Sequence, residues 1–328
     1  MRNFLPERFQ FSHDFAMYLH DYIASILVYG ETNKLFVTNF KVEDNYPDND
    51  KHIFEWLETH NRPDILGEVL LKAIFPALLS DFCHFIYEAL TCSRKGKLTV
   101  SYALLRKPLR ESLHYLEWLL ADPEDFLNTL YNEESKALSR FSNSNRIKKI
   151  INDAISKCPN SKLFSAEHIY RLRFDKTASF GFDGMCNRAI HLITTKVPIA
   201  TERRNLNFIF SNNDARESQW ELIYGQLPYL LFYASNVIDV LISIINGNPL
   251  QDFAHTNLHR LFGFIVWQNE LPNILEGYKN TKNENKPFNC FKCNTPIFLE
   301  IEKIRALFEY QEIACPSCHS ILNFDSFI

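Results

Sequence analysis

The stretch LPYLLFYASNVIDVLISIIN, Leu227–Asn246, is the most apolar span of this 328-residue chain. Its later polar residues recur at spacings of three and four: Asn236, Asp239, Ser243 and Asn246. On an α-helix this spacing places them along one stripe, with apolar side chains over the rest of the surface. A membrane-spanning helix is predominantly apolar over about 20 residues, and such a stripe is not expected there. The stretch therefore predicts a helix buried in the core of the protein.

Apolar residues recur at helical spacing along most of the chain that precedes this stretch. Capping residues and glycine stop signals divide the pattern into separate helices. The predicted helices cover Asp14–Gly30, Leu66–Arg94, Thr99–Ala121, 123–140, 144–157, 164–173 and a last one from just after Ser218 to Asn246. Three of them contain a proline, which removes a backbone N–H and clashes with the preceding turn. We therefore expect a kink or a split at Pro76, Pro108 and Pro228.

Two stretches outside these helices have the β-branched and aromatic residues that are typical of strands. The longer one, HLITTKVPIATERRNLNFIF (His191–Phe210), has two such runs on either side of polar Thr201–Arg204. We expect a short hairpin or an extended arm there. The shorter one, LFVTNF (Leu35–Phe40), predicts a single strand.

Four cysteines near the end of the chain have the spacing of a metal site. The segments NCFKCNTP and CPSCHS give the pattern C-x2-C-x21-C-x2-C over Cys290, Cys293, Cys315 and Cys318. Each pair can direct two thiolates at one ion, and two pairs complete a tetrahedral set that suits Zn2+. Such a set leaves no open position for water or substrate, which predicts one structural zinc ion per chain. The alternatives are an iron–sulfur cluster, a redox-active cysteine pair or four unrelated reduced cysteines.

The residues around these cysteines resemble a zinc ribbon over about the last 42 residues of the chain. Between the two pairs, IFLEIE (Ile297–Glu302) alternates apolar and polar residues with the period of a strand. Together with the helices, this predicts a mainly α fold: a multi-helix bundle with kinked long helices and a small C-terminal β zinc ribbon. The predicted domains are an N-terminal helical or extended segment packing on the body (1–65), a helical bundle body (66–277), a polar linker (278–289) and the zinc ribbon (290–328).

The charge of the chain bears on its partners. A net charge of −4 gives no overall attraction to nucleic acid or to an anionic membrane, and no membrane partner is expected. From residue 287 to 328 three basic residues face five acidic ones, so DNA binding by the ribbon is not expected. We expect a protein partner or a second copy of this chain, and RNA stays an alternative.

Two features bear on the cellular compartment. The first residues, MRNFLPERFQFSHDF, lack the apolar region of a secretory signal peptide. The cysteines outside the ribbon lie far apart in mostly apolar surroundings: Cys83, Cys92, Cys158 and Cys186. Free thiols of this kind are typical of a reducing compartment, so we expect a cytoplasmic protein.

The sequence contains no glycine-rich phosphate loop, G-x-S-x-G elbow or H-E-x-x-H motif. Basic clusters are the remaining catalytic candidates, because histidine can move a 2′-hydroxyl proton and arginine can hold a phosphate. They comprise Arg106, Lys107, Arg110 and His114 on one predicted helix, then Arg188 with His191, and Arg203 with Arg204. Each cluster is more simply explained as a solvated or salt-bridged face, with Arg110 close to Glu111 or Glu117. We interpret two sets with metal-ligand spacing as polar helix faces: Asp252, His255 and His259, and Asp81, His84 and Glu88.

The order of long helices, with YALLRKPLRESLHYLEWLLADPEDF (Tyr102–Phe126) as an arginine-bearing helix, resembles the HEPN-like helical bundles of bacterial defence and toxin systems. The resemblance covers about residues 66–246 and lies in the arrangement of the helices. Ribonuclease members of that family have an arginine followed by a histidine at a longer spacing than Arg110–His114 or Arg188–His191. The resemblance therefore assigns no catalytic residue.

These observations support three hypotheses about function. The first is a cytosolic helical zinc-ribbon protein that acts as a binding or regulatory module, in bacterial stress or anti-phage defence. The second is a divergent HEPN-like, metal-independent ribonuclease that uses Arg188 and His191, or Arg110 and His114. The third is a nucleic-acid sensor without catalytic activity. The sequence leaves open whether the protein is an enzyme.

Overall fold

The computed structural model describes residues 4–40, 53–132, 143–270 and 287–323. Within these residues the chain is mainly helical, and its short strands form two separate antiparallel pairs near the C-terminus, which confirms the predicted fold class. The helices are α1 Gln10–Thr32, α2 Ile53–Thr59, α3 Pro63–Arg94, α4 Leu98–Lys107, α5 Leu113–Ala121, α6 Pro123–Asn132, α7 Ser144–Lys157, α8 Ala166–Arg173, α9 Phe182–Ile190, α10 Asn213–Asn246, α11 Phe253–Glu270 and α12 Ile301–Tyr310. The strands are β1 Phe288–Asn289, β2 Pro296–Ile297, β3 Glu312–Ala314 and β4 Ile321–Asn323.

Helix α10 is the centre of the helical body, which comprises α1 to α11. Every residue from Ile223 to Asp239 is buried, and the helix packs against α1, α4, α5, α7 and α11. Its start is capped by Asn212, whose side-chain oxygen accepts a hydrogen bond from the Ala215 N–H (2.8 Å). It ends at Gly247, whose φ of 78° lies in the left-handed region that favours glycine. The buried helix predicted from the apolar stretch is confirmed up to Ile242, and the last turn is more exposed.

The three prolines differ in their effect on the helices that contain them. Helices α3 and α10 continue through Pro76 and Pro228, so of the two expected outcomes, a kink or a split, the split does not occur at these positions. At Pro108 the α-helix changes to a π-helical turn, Pro108–Ser112, before it resumes as α5. The buried guanidinium of Arg173 donates to the Leu109 carbonyl (2.5 Å), a carbonyl of this irregular turn. The Arg173 side chain of α8 therefore supplies a hydrogen bond to a backbone carbonyl at the turn where the regular helical hydrogen bonding is interrupted.

The two stretches with strand-like residues, 191–210 and Leu35–Phe40, do not form strands. Residues 191–210 are a loop held by side chains: the Thr194 N–H donates to the Thr201 hydroxyl (2.8 Å) and Asn207 donates its side-chain N–H to the His191 carbonyl (2.8 Å). Two backbone hydrogen bonds also join the two sides of the loop, from the Thr201 N–H to the Thr194 carbonyl (2.8 Å) and from the Asn207 N–H to the Leu192 carbonyl (2.9 Å). The threonine and asparagine side chains supplement these two bonds, and no strand pair forms.

The segment Leu35–Phe40 also differs from the predicted strand. The Leu35 N–H donates to the Gly30 carbonyl (2.9 Å), which closes the end of α1. The Phe36 ring lies directly on Gly30, where a Cβ atom would fall 2.2 Å from it, and packs 6.0 Å from the Phe75 ring. Packing on α1 and α3 therefore overrides the strand propensity of this stretch.

Two ion pairs lie inside the helical body, with no exposed side-chain surface on any of the four residues. Arg173 of α8 pairs with Glu117 of α5 (2.5 Å), and Arg260 of α11 pairs with Asp239 of α10 (2.5 Å). The second pair is completed by Tyr22 of α1, which donates its hydroxyl to Asp239 (2.5 Å). Buried charges of this kind are tolerated only when they are paired and hydrogen-bonded. One pair therefore links α8 to α5, and the other links α11 to α10.

Two helices are long and apolar enough to cross a membrane, by length and composition alone: α3 and α10. In the fold, 78% of the most apolar window of α10 is buried, against 33% for α3. Helix α10 thus uses its apolar surface inside the protein. Helix α3 keeps part of its surface open, where Leu70, Ile74 and Leu78 line a groove of about 510 Å3.

The predicted domain boundaries can be placed on these helices. The N-terminal segment 1–65 contains α1, whose Phe15, Leu19 and Ile23 are buried where it packs against α3 and α10. Helix α3 begins at Pro63, two residues before that boundary. The end of the predicted helix 123–140 and most of the predicted linker 278–289 lie outside the described residues.

Candidate metal centre

The four cysteines lie in two loops within residues 287–323, which we call the metal-binding unit. The first loop joins β1 to β2 and carries Cys290 and Cys293. Its Cys290 N–H donates to the Thr295 carbonyl (2.9 Å), and the Asn294 N–H donates back to the Cys290 carbonyl (2.8 Å). Asn294 has a φ of 59°, a left-handed conformation that asparagine tolerates well. The chain therefore reverses tightly and both sulfurs point to one side.

The second loop, between β3 and β4, repeats this construction with Cys315 and Cys318. The Cys315 N–H donates to the Ser320 carbonyl (2.9 Å), and the His319 N–H donates to the Cys315 carbonyl (3.0 Å). His319 has a φ of 57° and so corresponds to the left-handed residue of the first loop. Identical C-x2-C spacing thus folds into identical turns.

The two loops bring all four sulfurs within 4.8 Å of one another. Sγ of Cys290 lies 3.7 Å from Sγ of Cys318, and Sγ of Cys293 lies 3.6 Å from Sγ of Cys315. Four sulfurs around a tetrahedral zinc ion, each at about 2.3 Å from it, are about 3.8 Å apart, whereas a disulfide bond is about 2.05 Å long. The distances therefore fit four ligands of one ion. Across the described ranges, no other group of histidine, cysteine and acidic side chains has metal-binding geometry.

Hydroxyl groups surround the sulfurs. The Ser320 hydroxyl lies 3.0 Å from Sγ of Cys318 and 3.5 Å from Sγ of Cys290, and the Thr295 hydroxyl lies 3.1 Å from Sγ of Cys293. The Ser320 hydroxyl, acting with backbone N–H groups and against burial, lowers the pKa of Cys290 to about 6. The same hydroxyl is the first cause of the lowered pKa of Cys318. At Cys290 and Cys318 these contacts favour the thiolate form, which is the form that binds a metal. At Cys315 the backbone N–H of Cys318 also lowers the pKa, but burial and the neighbouring sulfurs of Cys293 and Cys318 outweigh it and raise this pKa to about 11.

A helix separates the two loops, which differs from the strand predicted for Ile297–Glu302. Strand β2 ends at Ile297 and α12 begins at Ile301. The apolar residues of this segment recur at helical spacing on the face that packs against α11: Ile301, Ile304, Leu307 and Phe308. Six residues of alternation are too short to distinguish strand from helix, and the apolar face against α11 decides the outcome.

Phe308 joins the metal-binding unit to the helical body. Its ring lies 6.0 Å from the Phe11 ring and 5.8 Å from the Phe15 ring, both edge-on. At Gly263 of α11 the space is so small that a Cβ atom would lie 2.6 Å from both Phe15 and Phe308. The Phe308 carbonyl is held 2.8 Å from Nε2 of His259. The unit is therefore packed on α1 and α11 as well as folded around its cysteines.

Both members of the first pair of catalytic candidates, Arg110 and His114, have partners within the fold. Arg110 pairs with Asp183 (2.6 Å), whose side chain is 1% exposed. His114 is buried beside Glu117, and burial lowers its pKa in spite of that neighbour. A buried neutral imidazole and a paired guanidinium have little access to a nucleic-acid substrate.

The second pair of candidates lies at the end of α9 and in the loop that follows. Arg188 donates weakly to the Ile199 carbonyl (3.4 Å), and His191 is exposed at the C-terminal end of the helix. Arg203 and Arg204 are exposed in the same loop. Throughout the described chain, no hydrogen bond or ion pair joins any two of these four side chains. The structure thus places them in one region without assembling them into a site.

In each of the two sets with metal-ligand spacing, one residue forms hydrogen bonds with other parts of the fold. His259 lies between the Tyr18 hydroxyl (2.7 Å) and the Phe308 carbonyl (2.8 Å). Asp81 pairs with Lys107 (2.8 Å) and accepts a longer hydrogen bond from Ser112 (3.2 Å). Asp252, His84 and Glu88 are exposed, as expected for polar helix faces, whereas His259 is packed between α1 and α12.

Several residues of the site were not found from the sequence. The hydroxyls of Thr295 and Ser320 follow the last cysteine of each loop by two residues, and this matched pattern is the signal that could have identified them. Asp183 lies 73 positions from its partner Arg110, and no local pattern connects the two.

Comparison of the chain with known protein families, with curated proteins and with solved structures finds no match. The HEPN-like resemblance therefore gains no support from these comparisons and stays a hypothesis. What the structure itself shows is a mainly helical protein whose C-terminal cysteines can hold a metal ion.

Proposed function

We propose that the four cysteines hold one structural zinc ion and that the protein is a binding or regulatory module, without catalysis at the metal. The observation that supports this proposal is the four-sulfur cluster, with facing sulfurs 3.6 and 3.7 Å apart. Catalytic zinc sites keep one position for water or substrate, and four protein ligands fill all positions of a tetrahedral ion. Thiolate ligands in this geometry favour zinc or iron over harder metals.

The metal identity has a direct test. Elemental analysis of the purified protein should find about one zinc per chain, lost when Cys290 and Cys315 are both changed to serine. A coloured protein that contains iron would refute the zinc assignment.

The ribonuclease hypothesis requires a histidine and an arginine that reach the same phosphate. Arg110 and His114 are engaged inside the fold with Asp183 and Glu117. Arg188 and His191 share a region without contacting each other, as described above. These observations favour a binding role over nuclease activity, and they leave the cytoplasmic location and a role in bacterial defence as predictions from the sequence.

An RNA cleavage assay, with and without a chelator, separates the two functions. We expect intact RNA at high protein concentration for the wild-type protein. Metal-independent cleavage that is abolished by His191→Ala, and unaffected by the matched change His255→Ala in α11, would establish the enzyme instead.

A further inference from the structure

A pocket of about 270 Å3 lies where the start of α4 meets the loop before α10 and the first turns of α10. We call it the α4 pocket. Its ten lining residues include two basic side chains and no acidic one. It shares no residue with the metal-binding unit, so its role can be tested independently of the zinc proposal.

The first turn of α4 supplies hydrogen-bond donors to this pocket. The side chain of Lys97, the N-cap residue, makes no capping hydrogen bond. The first N–H that finds a carbonyl is that of Ser101, which donates to the Lys97 carbonyl (3.0 Å). Within the described chain the N–H groups of Leu98, Thr99 and Val100 have no acceptor. Free N–H groups and the positive end of the helix dipole favour an anion at this place.

Gln219 of α10 provides a second and independent indication of a ligand. Its side chain lines the pocket although the residue is only 8% exposed. No group in the described ranges accepts or donates a hydrogen bond to its side-chain amide, whereas its backbone carbonyl accepts one from the Tyr102 hydroxyl (2.6 Å). The amide atoms of Gln219 are not among the fully buried polar atoms that lack a partner, so the amide opens onto the pocket while the rest of the residue is buried. A ligand oxygen in the pocket can accept a hydrogen bond from this amide.

Two cations stand at the rim of the pocket. Lys97 and Arg216 line it and are both exposed. Neither side chain forms an ion pair with any residue of the described chain, unlike most other arginines of α8 to α11. Their charges are therefore available to an anion, and arginine can hold two oxygens of a phosphate at once.

The remaining wall of the pocket is apolar. Phe208 and Ile209 come from the loop before α10, and Val100 comes from α4. Ile209 is 55% exposed and Val100 is 47% exposed, so both present open apolar surface beside the cations. The Phe208 ring packs 5.9 Å from Tyr102, the residue that also holds the Gln219 backbone. Tyr102 thus contacts both Gln219 on the polar side of the pocket and Phe208 on its apolar side.

We propose that the α4 pocket binds a phosphate monoester carried on a flat ring system, the chemistry of a nucleoside monophosphate. The phosphate accepts from the first N–H groups of α4 and from the Gln219 amide, while Lys97 and Arg216 balance its charge. The ring lies on the apolar wall of Phe208 and Ile209. The volume lies just below the range of about 300–1,000 Å3 for small-molecule sites, which suits one phosphate and one ring. A free nucleotide and the 5′ end of an RNA strand would present the same group.

Calorimetric titration of the full chain with adenosine monophosphate, inorganic phosphate and adenosine tests this proposal. We expect the monophosphate to bind, phosphate to bind more weakly and adenosine to show no measurable binding. Gln219→Leu and Arg216→Glu should each weaken the monophosphate at least about tenfold, because each removes a contact to a charged group. Arg203→Glu removes an exposed arginine outside the pocket and should leave binding unchanged. Unchanged melting temperatures show that the variants are folded.

Other outcomes would overturn the proposal. Absence of binding at millimolar monophosphate refutes the site, and equal binding by wild type and Gln219→Leu refutes the assigned contacts. A short RNA with a 5′-phosphate that binds more tightly than the free nucleotide identifies the RNA end as the source of the group. If the same RNA with a 5′-hydroxyl binds equally well, the RNA is recognised elsewhere and the phosphate assignment is wrong.

Discussion

The helical body and the metal-binding unit bury their apolar residues in cores of very different size. The core of the body draws on most of its helices, from α1 to α11. The core of the metal-binding unit has nine buried residues, of which two are cysteines and two, Phe262 and Val266, belong to α11 of the body. Small modules bury too little surface to fold by the hydrophobic effect alone. We therefore expect the stability of the unit to depend on a bound metal ion and on its packing against α11 of the body.

The two regions also treat buried polar groups differently. The body is large enough to hold two fully buried ion pairs, Glu117–Arg173 and Asp239–Arg260. The metal-binding unit has no buried ion pair among its described residues. Its cluster of polar groups consists of the four sulfurs, of which those of Cys290 and Cys315 belong to buried residues, and of the hydroxyls of Thr295 and Ser320. This difference predicts which change destabilises each region. The body should fail when one charge of a pair is removed, and the unit when its metal is removed.

The largest expected effect comes from breaking the metal site. Structural zinc contributes on the order of 10 kcal/mol to the folding of small zinc domains. Changing both Cys290 and Cys315 to serine should release the metal and abolish hydrogen-exchange protection in residues 287–323. The helices of the body should keep a cooperative thermal transition at a lower temperature, because Phe262 and Val266 lose their cover.

Cys92→Ser is the matched control, since Cys92 lies outside the metal site. It should leave both metal content and protection unchanged. Loss of the helical transition in the double variant would show that body and metal-binding unit form a single folding unit, and the comparison between them would fail.

The next effect concerns the ion pair inside the body. Asp239→Asn leaves the Arg260 charge buried without its partner, which should cost about 3–5 kcal/mol in urea unfolding. The triple change Asp239→Leu, Arg260→Met and Tyr22→Phe removes all three polar groups and should be close to neutral. A triple variant that is as unstable as the single one would show that the pair contributes net stability.

A smaller, pH-dependent effect comes from His13, which packs beside Tyr224 in the body. Burial lowers the pKa of His13 to about 4, with Asp14 opposing the shift and Arg94 adding to it. The unfolded chain takes up this proton near pH 6.5, so between pH 6.5 and 4 the unfolded state binds more protons and stability falls as the pH drops. The loss should reach up to about 3 kcal/mol.

His13→Gln keeps a hydrogen-bonding side chain and cannot titrate. Urea unfolding at pH 7 and pH 4.5 should show a smaller loss of stability in this variant than in the wild type. Equal losses in the two proteins would mean that His13 is protonated in the folded state.

The smallest effect tests the contact between the two regions. Gly263→Ala adds a methyl group 2.6 Å from both Phe15 and Phe308, and overpacking of this kind costs about 1–3 kcal/mol. Gly67→Ala in α3 is the matched control, because no atom lies within 4 Å of its added Cβ. The control should stabilise by about 0.5–1 kcal/mol. If thermal melting shows the same change for both, Phe308 does not pack as described.

The features predicted correctly from the sequence are those that depend on local spacing. The C-x2-C pairs fold into matched turns because each loop forms its own hydrogen bonds, as between Cys290 and Thr295. Helix α10 can be predicted from the sequence because the polar residues that form its stripe all lie within this one helix. The strand predicted for Ile297–Glu302 is wrong at its C-terminal end, where α12 begins at Ile301. The apolar residues that continue the helical spacing, Leu307 and Phe308, lie outside the six residues on which the strand prediction rests.

The features that sequence reasoning missed depend on distant partners. Arg110 has glutamates close to it in the sequence, yet it pairs with Asp183 on α9. The loop 191–210 lacks strands because Thr201 and Asn207 fold back onto it, which no propensity reveals. Gln219 is a candidate ligand residue because the residue is buried while its amide opens onto the pocket, a combination that no sequence pattern indicates.

The central claim is that four thiolates from two matched loops enclose one zinc ion. X-ray absorption at the zinc edge of the purified protein measures the ligands of the metal directly. We expect four sulfur atoms at about 2.3 Å from the zinc and no oxygen or nitrogen bound to it. A nitrogen or oxygen ligand would show an open or mixed site, and it would contradict the structural role given to the metal here.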